Sequence, residues 1–528
     1  MKIEIDHIPV DAIEGSTVME AAASVGIVIP SMCYQPGYKN NSSCMVCMVR
    51  DDDTGMFFPS CAMPVAEGMK IITQSPDVRE MRKQSLELLL SDHLGDCEAP
   101  CRLSCPAFMN IPLMNRLIAN GDFSKALNVV RKEIAIPLIL GYICPAPCEK
   151  ACHRGSLDSP VSICLLKRIT AQISSFHHSH ESEEPEERPV KTGKKVAIIG
   201  SGPAGLSAAF YLLRSGHDCT IFDKNDQPGG AMRYMIPDHE LPKVALDHET
   251  GLLSQMGGDF RMNSLVTKET FENEIIRDFD AVILATGNQK VQPLEIFLGD
   301  HPDPENFIDH KKLITSRPGV FVCGNIIREQ KMAVRSSAQG RMAANEVDLY
   351  LETRSTGEKR IKFHSIIGRL HQEELNECLR ESIPDARQEP ACGFLSGFTR
   401  DEAIHEAKRC LHCDCRKPLS CKLRIYAEEY GAERRRFSGP DRKLLIKSLQ
   451  HEFVVYEPEK CIKCGLCIEI TKKEETALGL TFIGRGFDVR VSVPFNQSIK
   501  EALESTASEC VRTCPTGALA LKVQEERF

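Results

Sequence analysis

The sequence predicts a multidomain α/β and α+β protein in which cysteine-rich modules flank one dinucleotide-type α/β domain. Three observations carry this reading. The chain has 528 residues, enough for roughly three to five domains. It holds 24 cysteines, 19 of which fall into short groups with ligand-like spacing. A single Gly200-Ser-Gly202-Pro203-Ala204-Gly205 loop follows an apolar strand pattern. Thiols at this density must be paired, ligated to metal, or left open to oxidation. Disulfide scaffolds are short and begin with an export signal. This chain opens on Met1-Lys2-Ile3-Glu4-Ile5-Asp6, an alternating strand pattern without an apolar export core. Metal clusters in a reducing compartment are therefore the expectation.

The bulk numbers narrow the class. With 42% hydrophobic and 26% charged residues, packed cores are within reach. A net charge of −8 with no basic block argues against nucleic acid as a partner. The best apolar run, Ala135 to Ile143, is broken by Pro137 and Gly141 and falls short of the roughly 18 residues of a membrane span. The expected location is the cytosol, with any membrane role held by a partner.

Residues 1–77 form the first expected domain: a strand pair, a helix over Val18 to Val25, then Cys33, Cys44, Cys47 and Cys61. Gaps of ten, two and thirteen residues let Cys44 and Cys47 grip one iron from a tight turn while Cys33 and Cys61 close the cage. Ser42 and Ser43 add small residues and backbone amides near the sulfurs. A zinc site is the alternative. The ten-residue gap departs from plant ferredoxins. The arrangement resembles the N-terminal β-grasp 2Fe–2S ferredoxin domain in the large iron–sulfur subunit of complex I and its formate dehydrogenase and hydrogenase relatives.

Residues 78–180 read as a helical domain. A helix near Asp77 to Asp92 leads to His93, Cys97, Cys101 and Cys105-Pro106; Cys144, Cys148 and Cys152 follow after about forty residues of helical pattern. Two triplets at four-residue steps suit two 4Fe–4S clusters with ligands exchanged between the segments. These motifs resemble the N-terminal domain of the glutamate synthase small subunit and of dihydropyrimidine dehydrogenase. The resemblance implies one cluster on Cys97, Cys101 and Cys152. The family's first cysteine is missing, and His93 stands in for it, as in the His-x3-Cys start of the complex I motif; a solvated histidine at a helix end is the alternative. The second cluster takes Cys105, Cys144 and Cys148. The family's fourth ligand, a Gln or Glu, falls at Lys167, whose ammonium cannot coordinate iron. Cys164 lies three residues earlier on the same helical face and is the expected replacement. Its alternative is a small buried core residue.

Ser174 to Lys195, with 181–194 at its centre, is charged, carries two prolines and lacks apolar period, so it reads as a linker; His177, His178 and His180 there are expected to be solvated. Residues 195–353 then open with Lys195-Val-Ala-Ile-Ile and the glycine loop, a strand, tight turn and helix whose amides suit a pyrophosphate. Asp223, eighteen residues after Gly205, ends the next strand and is placed for an adenosine ribose. Gly229-Gly230, Ala285-Thr286-Gly287 and Gly319-Val-Phe-Val-Cys-Gly324-Asn325 resemble the Rossmann-like FAD-binding flavoproteins, where an Asp usually stands at position 325. In the glutamate synthase small subunit a second dinucleotide fold, for NADPH, follows the Ala-Thr-Gly strand. Such a fold needs on the order of a hundred residues. Only thirty separate Gly287 from Pro318, so the nicotinamide site is expected to be missing.

Residues 354–450 carry Cys410, Cys413, Cys415 and Cys421 at the end of a helix, Asp401 to Arg409. A 4Fe–4S cluster and a zinc ion both take four thiolates, and spacing alone does not choose; the E-A-x-R-C-L-x-C helix resembles cluster-bearing flavoproteins. Residues 451–528 begin with Cys461, Cys464 and Cys467, a bacterial ferredoxin-like motif that Cys514-Pro515 completes. The second cluster of such domains has lost its ligands to Thr471, Glu504 and Ala507, leaving Cys510 alone. The stretch Phe482-Ile-Gly-Arg-Gly-Phe-Asp resembles complex I-like and formate dehydrogenase subunits.

The resemblances together imply an electron-transfer subunit of a cytoplasmic, anaerobic oxidoreductase complex with one FAD, one 2Fe–2S and three or four 4Fe–4S clusters. A complex I-type NADH-oxidising flavoprotein and a ferredoxin or another redox subunit are the implied partners, with electron bifurcation at the flavin in view. The alternatives are a self-contained NAD(P)H-dependent reductase of the glutamate synthase small subunit type, and a zinc-bearing scaffold. No nucleophilic triad or acid–base residue stands out.

Overall fold

A computed structural model describes residues 1–176, 189–288, 297, 308–352, 362–439, 442–474, 476 and 478–522. His177, His178, His180 and most of the expected linker lie outside the described residues, as does most of the stretch between Gly287 and Pro318. The chain divides into two compact units that cut across the linear domain boundaries expected above. The first joins Met1–Ala99, Arg360–Glu381 and His412–Phe528; the second joins Pro100–Lys359 and Ser382–Leu411.

The N-terminal part of the first unit is a five-stranded sheet of β1 (Lys2–Ile5), β2 (Ile8–Asp11), β3 (Met48–Asp51), β4 (Phe57–Pro59) and β5 (Lys70–Ile72), in the order β2-β1-β5-β3-β4. The alternation of Ile3 and Ile5 with charged residues turns one face of β1 inward, as a half-buried strand requires. Asp6 and His7 both take positive φ in the two-residue turn of the β1–β2 hairpin, a twist that matches that of the strands. Helix Val18–Ser24 starts at a capping box in which Thr17 and Glu20 satisfy each other's backbone amides. Its Val18, Met19 and Ala22 pack with Ile5, Val10, Val49 and Ile71 in a core that also contains Cys47 and Cys61. Helix Pro76–Asp92 has proline in its first turn, where the missing N–H costs nothing. It packs against helix Lys422–Tyr430.

The second unit is built on a seven-stranded sheet of β6 (Lys195–Ile199), β7 (Asp218–Phe222), β8 (Asp259–Arg261), β9 (Ala281–Leu284), β10 (Ile308–Asp309), β11 (Ile314–Thr315) and β12 (Val320–Val322). Its order is β10-β11-β12-β9-β6-β7-β8, with β12, β9, β6, β7 and β8 parallel. The continuous apolar runs of β6, β9 and β12 are those of strands buried on both faces. Helices Pro203–Arg214 and Ala333–Leu351 pack on this sheet and on each other. Helices Ile111–Ala119, Phe123–Arg131, Pro137–Ile143 and Ile163–Phe176 form the helical part. The two parts are pinned by buried Glu249, whose carboxylate oxygens accept the Leu138 and Ile139 N–H groups at 2.7 and 3.0 Å. Burial pushes its pKa up to about 8.

The C-terminal part of the first unit pairs β13 (Val454–Tyr456) with β16 (Leu519–Leu521), and β14 (Thr481–Ile483) with β15 (Arg490–Ser492). Helices Leu466–Lys473 and Ala507–Thr513 close over a core of Val454, Ile470, Leu503 and Cys510. Among the described residues no helix is long and apolar enough to cross a membrane.

Candidate functional site: thiol clusters and a glycine cradle

In the first unit Cys33, Cys44, Cys47 and Cys61 converge, all nearly inaccessible. Cys47 and Cys61 have their sulfurs 3.3 Å apart. The Cys33 thiol is drawn far down by hydrogen bonds from Cys44 and Cys61, and Cys47 is drawn to about 7 by Cys61, while Cys44 and Cys61 are pushed up. The four sulfurs thus share hydrogen bonds among themselves, and thiolate is the form in which such a set would ligate a metal. The loop carrying them holds Ser42 and Met45 at positive φ, a backbone strain kept in place by its surroundings. Asn40 fixes it, donating to the Cys61 carbonyl at 2.7 Å and accepting the Ser42 N–H at 3.0 Å.

The next residue reaches a second thiol group. Asn41 Nδ2 donates to the Cys464 carbonyl at 3.2 Å. Cys461, Cys464, Cys467 and Cys514 lie within one another's electrostatic reach, and burial pushes Cys461 up to about 12. Cys461 Sγ accepts the Lys463 N–H at 3.3 Å, the kind of contact that favours a thiolate. Cys33, Cys44, Cys464 and Cys421 share one apolar core with Met32, Leu86, Leu90 and Leu466. Neither Asn40 nor Asn41 is singled out by its sequence; only their contacts mark them.

Where a second ferredoxin-type cluster was expected to have lost its ligands, the side chains bond to the protein's own groups. The Thr471 hydroxyl bonds the Cys467 and Ile468 carbonyls and accepts the Leu480 N–H. Cys510 Sγ faces Thr506 Oγ1 and the Cys467 carbonyl inside the apolar core. We expect Cys510→Ala to leave iron content and EPR signals unchanged, as metal analysis of the purified variant would check.

In the second unit Cys105, Cys144, Cys148 and Cys164 line one cavity with Pro106 and Lys167. The Cys144 and Cys164 thiols hydrogen-bond, and Cys148 also meets Cys164, which ends at about 12 under the opposed pulls of Cys144 and of Cys148 with burial. Ala146, between Cys144 and Cys148, sits at positive φ, which turns the short loop around the cavity. Lys167 is buried, and its Nζ donates to the Leu140 carbonyl at 3.0 Å. Burial pulls its pKa down, but the four facing thiols more than offset this, so it rises. An ammonium here lowers the cost of added negative charge. Lys167→Met is expected to lower the midpoint potential of a cluster held at this site by ~1.5–3 kcal/mol, roughly 60–130 mV for one electron, measured by EPR-monitored titration.

The remaining cysteines divide between the units. Cys101, Cys152 and Cys410 belong to the second; Cys97, Cys413, Cys415 and Cys421 belong to the first. His93, at the C-terminal end of helix Pro76–Asp92, has its Nδ1 buried without a hydrogen-bond partner. Burial and the charge of Lys460 draw the ring to about 4, which keeps it in the neutral form that binds metal. Lys460, missed in the sequence, is buried and paired with Glu457 Oε2 at 2.5 Å, and its charge acts on Cys415.

The glycine loop has the close approaches that its motif requires. A Cβ on Gly205 would stand 1.8 Å from the Gly200 carbonyl oxygen, whereas one on Gly202 would meet nothing within 4 Å, leaving its side of the turn open for a ligand. Pro203 and Ala204 begin the helix just beyond. Gly230 and Gly324 border the same loop, against Gly202 and Ala204 respectively. Thr286 ends with its hydroxyl buried and unpartnered, beside Gly287 at positive φ. The carboxylate of Asp223 is turned to the loop. Its Oδ2 accepts the Ser201 N–H and hydroxyl at 2.8 and 2.6 Å, and its Oδ1 accepts from Asn225. Asn325 donates to the Gln330 carbonyl at 3.1 Å and accepts from Ser336 at 3.3 Å. Both residues therefore brace the cradle in this structure.

Three sequence families match. Residues 1–76 match the 2Fe-2S iron-sulfur cluster binding domain, residues 91–178 the dihydropyrimidine dehydrogenase domain II, 4Fe-4S cluster, and residues 198–267 the NAD(P)-binding Rossmann-like domain. The NADPH-Fe(3+) oxidoreductase subunit beta of Geobacter sulfurreducens is 34% identical over 200 residues, 38% of this chain and 29% of that protein. The glutamate synthase [NADPH] small chain of Bacillus subtilis is 37% identical over 211 residues, 40% of this chain and 42% of that protein. The NADP(+)-dependent formate dehydrogenase subunit beta of Moorella thermoacetica is 34% identical over 207 residues, 36% and 29%. Over about 200 residues the chain is similar to these oxidoreductase subunits. Its matched segment covers less than half the length of each of these relatives. It carries a 2Fe–2S domain, a 4Fe–4S domain and a Rossmann-like NAD(P)/FAD-binding domain in a mixed α/β architecture.

Proposed function

We propose that the chain is a flavo-iron–sulfur electron-transfer subunit of a cytoplasmic oxidoreductase complex, holding FAD at the Gly200–Gly205 cradle and iron–sulfur clusters on its grouped thiols. The observation that carries this is the Asn40–Asn41 dipeptide. Asn40 bonds the loop of Cys33, Cys44, Cys47 and Cys61, while Asn41 bonds the carbonyl of Cys464 in the next thiol group. Two redox sites tied by adjacent residues and sealed by a common apolar core suit transfer of electrons better than storage of zinc. The clusters would supply one-electron steps and the flavin one- or two-electron steps. The protein's part is to hold thiolates, direct N–H groups at sulfur, exclude water with Met32, Leu86 and Leu466, and set Lys167 against the cavity of Cys105 and Cys164.

The partners are a complex I-type flavoprotein that oxidises NADH, and a ferredoxin or another redox subunit; bifurcation at the flavin belongs to the same reading. The names of the relatives, with their NADPH, formate and Fe(3+) chemistry, support a redox partner of this kind. Anaerobic purification followed by iron, sulfide, zinc and flavin analysis tests the proposal. Iron with labile sulfide and FAD is expected, and zinc without sulfide overturns it. Rapid bleaching of the flavin by NADPH or NADH with the purified chain alone would favour a self-contained reductase instead.

A further inference from the structure

We propose that the cysteine group of residues 410–421 is divided between two metal sites: Cys410 joins Cys101 and Cys152 at one, and Cys415 and Cys421 join Cys97 at the other. This rests on the iron–sulfur reading above and changes its wiring, since linear spacing had grouped Cys97 with Cys101 and Cys410 with Cys415.

The first set is built inside the second unit. Helix Pro100–Ser104, carrying Cys101, packs against helix Pro147–Lys150, and Cys152 follows that helix directly. Two residues later Arg154, almost wholly buried, donates from Nη1 to the Arg409 carbonyl at 3.1 Å and to the Ile383 carbonyl at 2.9 Å. Arg409, equally buried, directly precedes Cys410; it donates to Ser159 O at 2.8 Å and Asp158 Oδ1 at 3.0 Å. Asp158 in turn pairs with Arg154 at 2.8 Å. The Ser162 N–H bonds Glu406 Oε1 at 2.8 Å, and the neighbouring Val161 N–H turns to the Cys152 sulfur. An ion network this deep is costly unless every member is paired. Here each member is paired, and the result is to hold the Cys152 and Cys410 loops together.

The second set is knit in the same manner inside the first unit. Cys97 and Ser365 exchange bonds: the Cys97 N–H donates to Ser365 O, and the Ser365 N–H donates to the Cys97 sulfur at 3.3 Å. Glu98, the next residue, takes a buried ion pair at 2.9 Å from Arg424, three residues beyond Cys421. Arg424 also donates to Phe363 O at 3.0 Å and Pro418 O at 2.8 Å, enclosing the Cys415–Cys421 turn. The Cys421 sulfur is buried and faces those of Cys415 and Cys97.

Single Cys→Ser variants of the full chain, prepared anaerobically, test the division by iron and sulfide content and by EPR of the reduced protein. C101S, C152S and C410S are expected to lose the same signal; C97S, C415S and C421S are expected to lose a different one. C97S sharing its loss with C101S, or C410S with C415S, would overturn the division. For variants that do not accumulate, stepwise iron chelation of the natural chain with alkylation and peptide mass spectrometry substitutes: Cys410 should be labelled in the phase of Cys101 and Cys152, and labelling with Cys415 overturns the proposal. Zinc found in place of iron and sulfide, with the same groupings, would support the division while ending the electron-transfer reading.

Discussion

Gly205→Ala is expected to yield a folded chain that keeps its iron and loses its flavin. The added methyl would sit 1.8 Å from the Gly200 carbonyl oxygen, an atom of the main chain with no rotamer to escape into. The start of helix Pro203–Arg214 must then move away from the end of β6, and the helix N-terminus that would hold a pyrophosphate moves with it. Overpacking of this kind costs ~1–3 kcal/mol, which weakens binding roughly five- to 150-fold if it falls on the cofactor. The damage is local. The thiol groups of the first unit share no residue with this turn. Flavin absorbance and the iron-to-protein ratio of the variant separate the two effects. Stoichiometric flavin in Gly205→Ala would mean that the cradle does not hold the pyrophosphate.

Cys164→Ser has the second large effect: loss of the iron and sulfide of one cluster, with the others retained. Cys164 presents its sulfur to Cys144 and Cys148 inside a cavity that also takes Cys105. A hydroxyl in place of the thiol is a far poorer iron ligand, because hydroxyl groups hold their proton at pH values where a thiol has begun to give it up. Were Cys164 a core residue alone, Ser would cost some stability and leave the metal content unchanged. Thermal unfolding and EPR on one preparation therefore distinguish ligand from filler. The pairing with Lys167 sharpens the test. The extra thiolate brings a negative charge, and the ammonium three residues on answers it.

What was legible in the sequence was whatever short spacing decides. Thr17 and Glu20 stand three apart, the spacing of the capping box that they form; Cys144 and Cys148, four apart, line one cavity with Cys164, the residue expected in place of the family's ligand at position 167. The strand–turn–helix around Gly200 to Gly205 is there because each glycine is required by a close approach or an open face. Segment pairing across hundreds of residues was hidden. Nothing local in Asn41 announces Cys464, and nothing in Arg154 announces Arg409, since such contacts exist only once distant elements have packed. The place of Asp223 at a strand end predicts a ribose ligand, and the same place puts its Oδ2 within reach of the Ser201 amide and hydroxyl, from which it accepts.

The apolar core around Cys33 and Cys44 has a consequence for how the protein is made. Leu466, Ile462, Leu423 and Tyr430 are among its walls, so the pocket of the earliest cysteines is sealed by residues synthesised more than 350 positions later. At translation rates of roughly 5–20 residues per second, those thiols wait on the order of tens of seconds in an unfinished, open site. A cluster inserted during that interval would face solvent and oxidant on the side that the C-terminal segment later covers. The walls of this thiol pocket are therefore complete only once the C-terminal segment has been made and has packed against it.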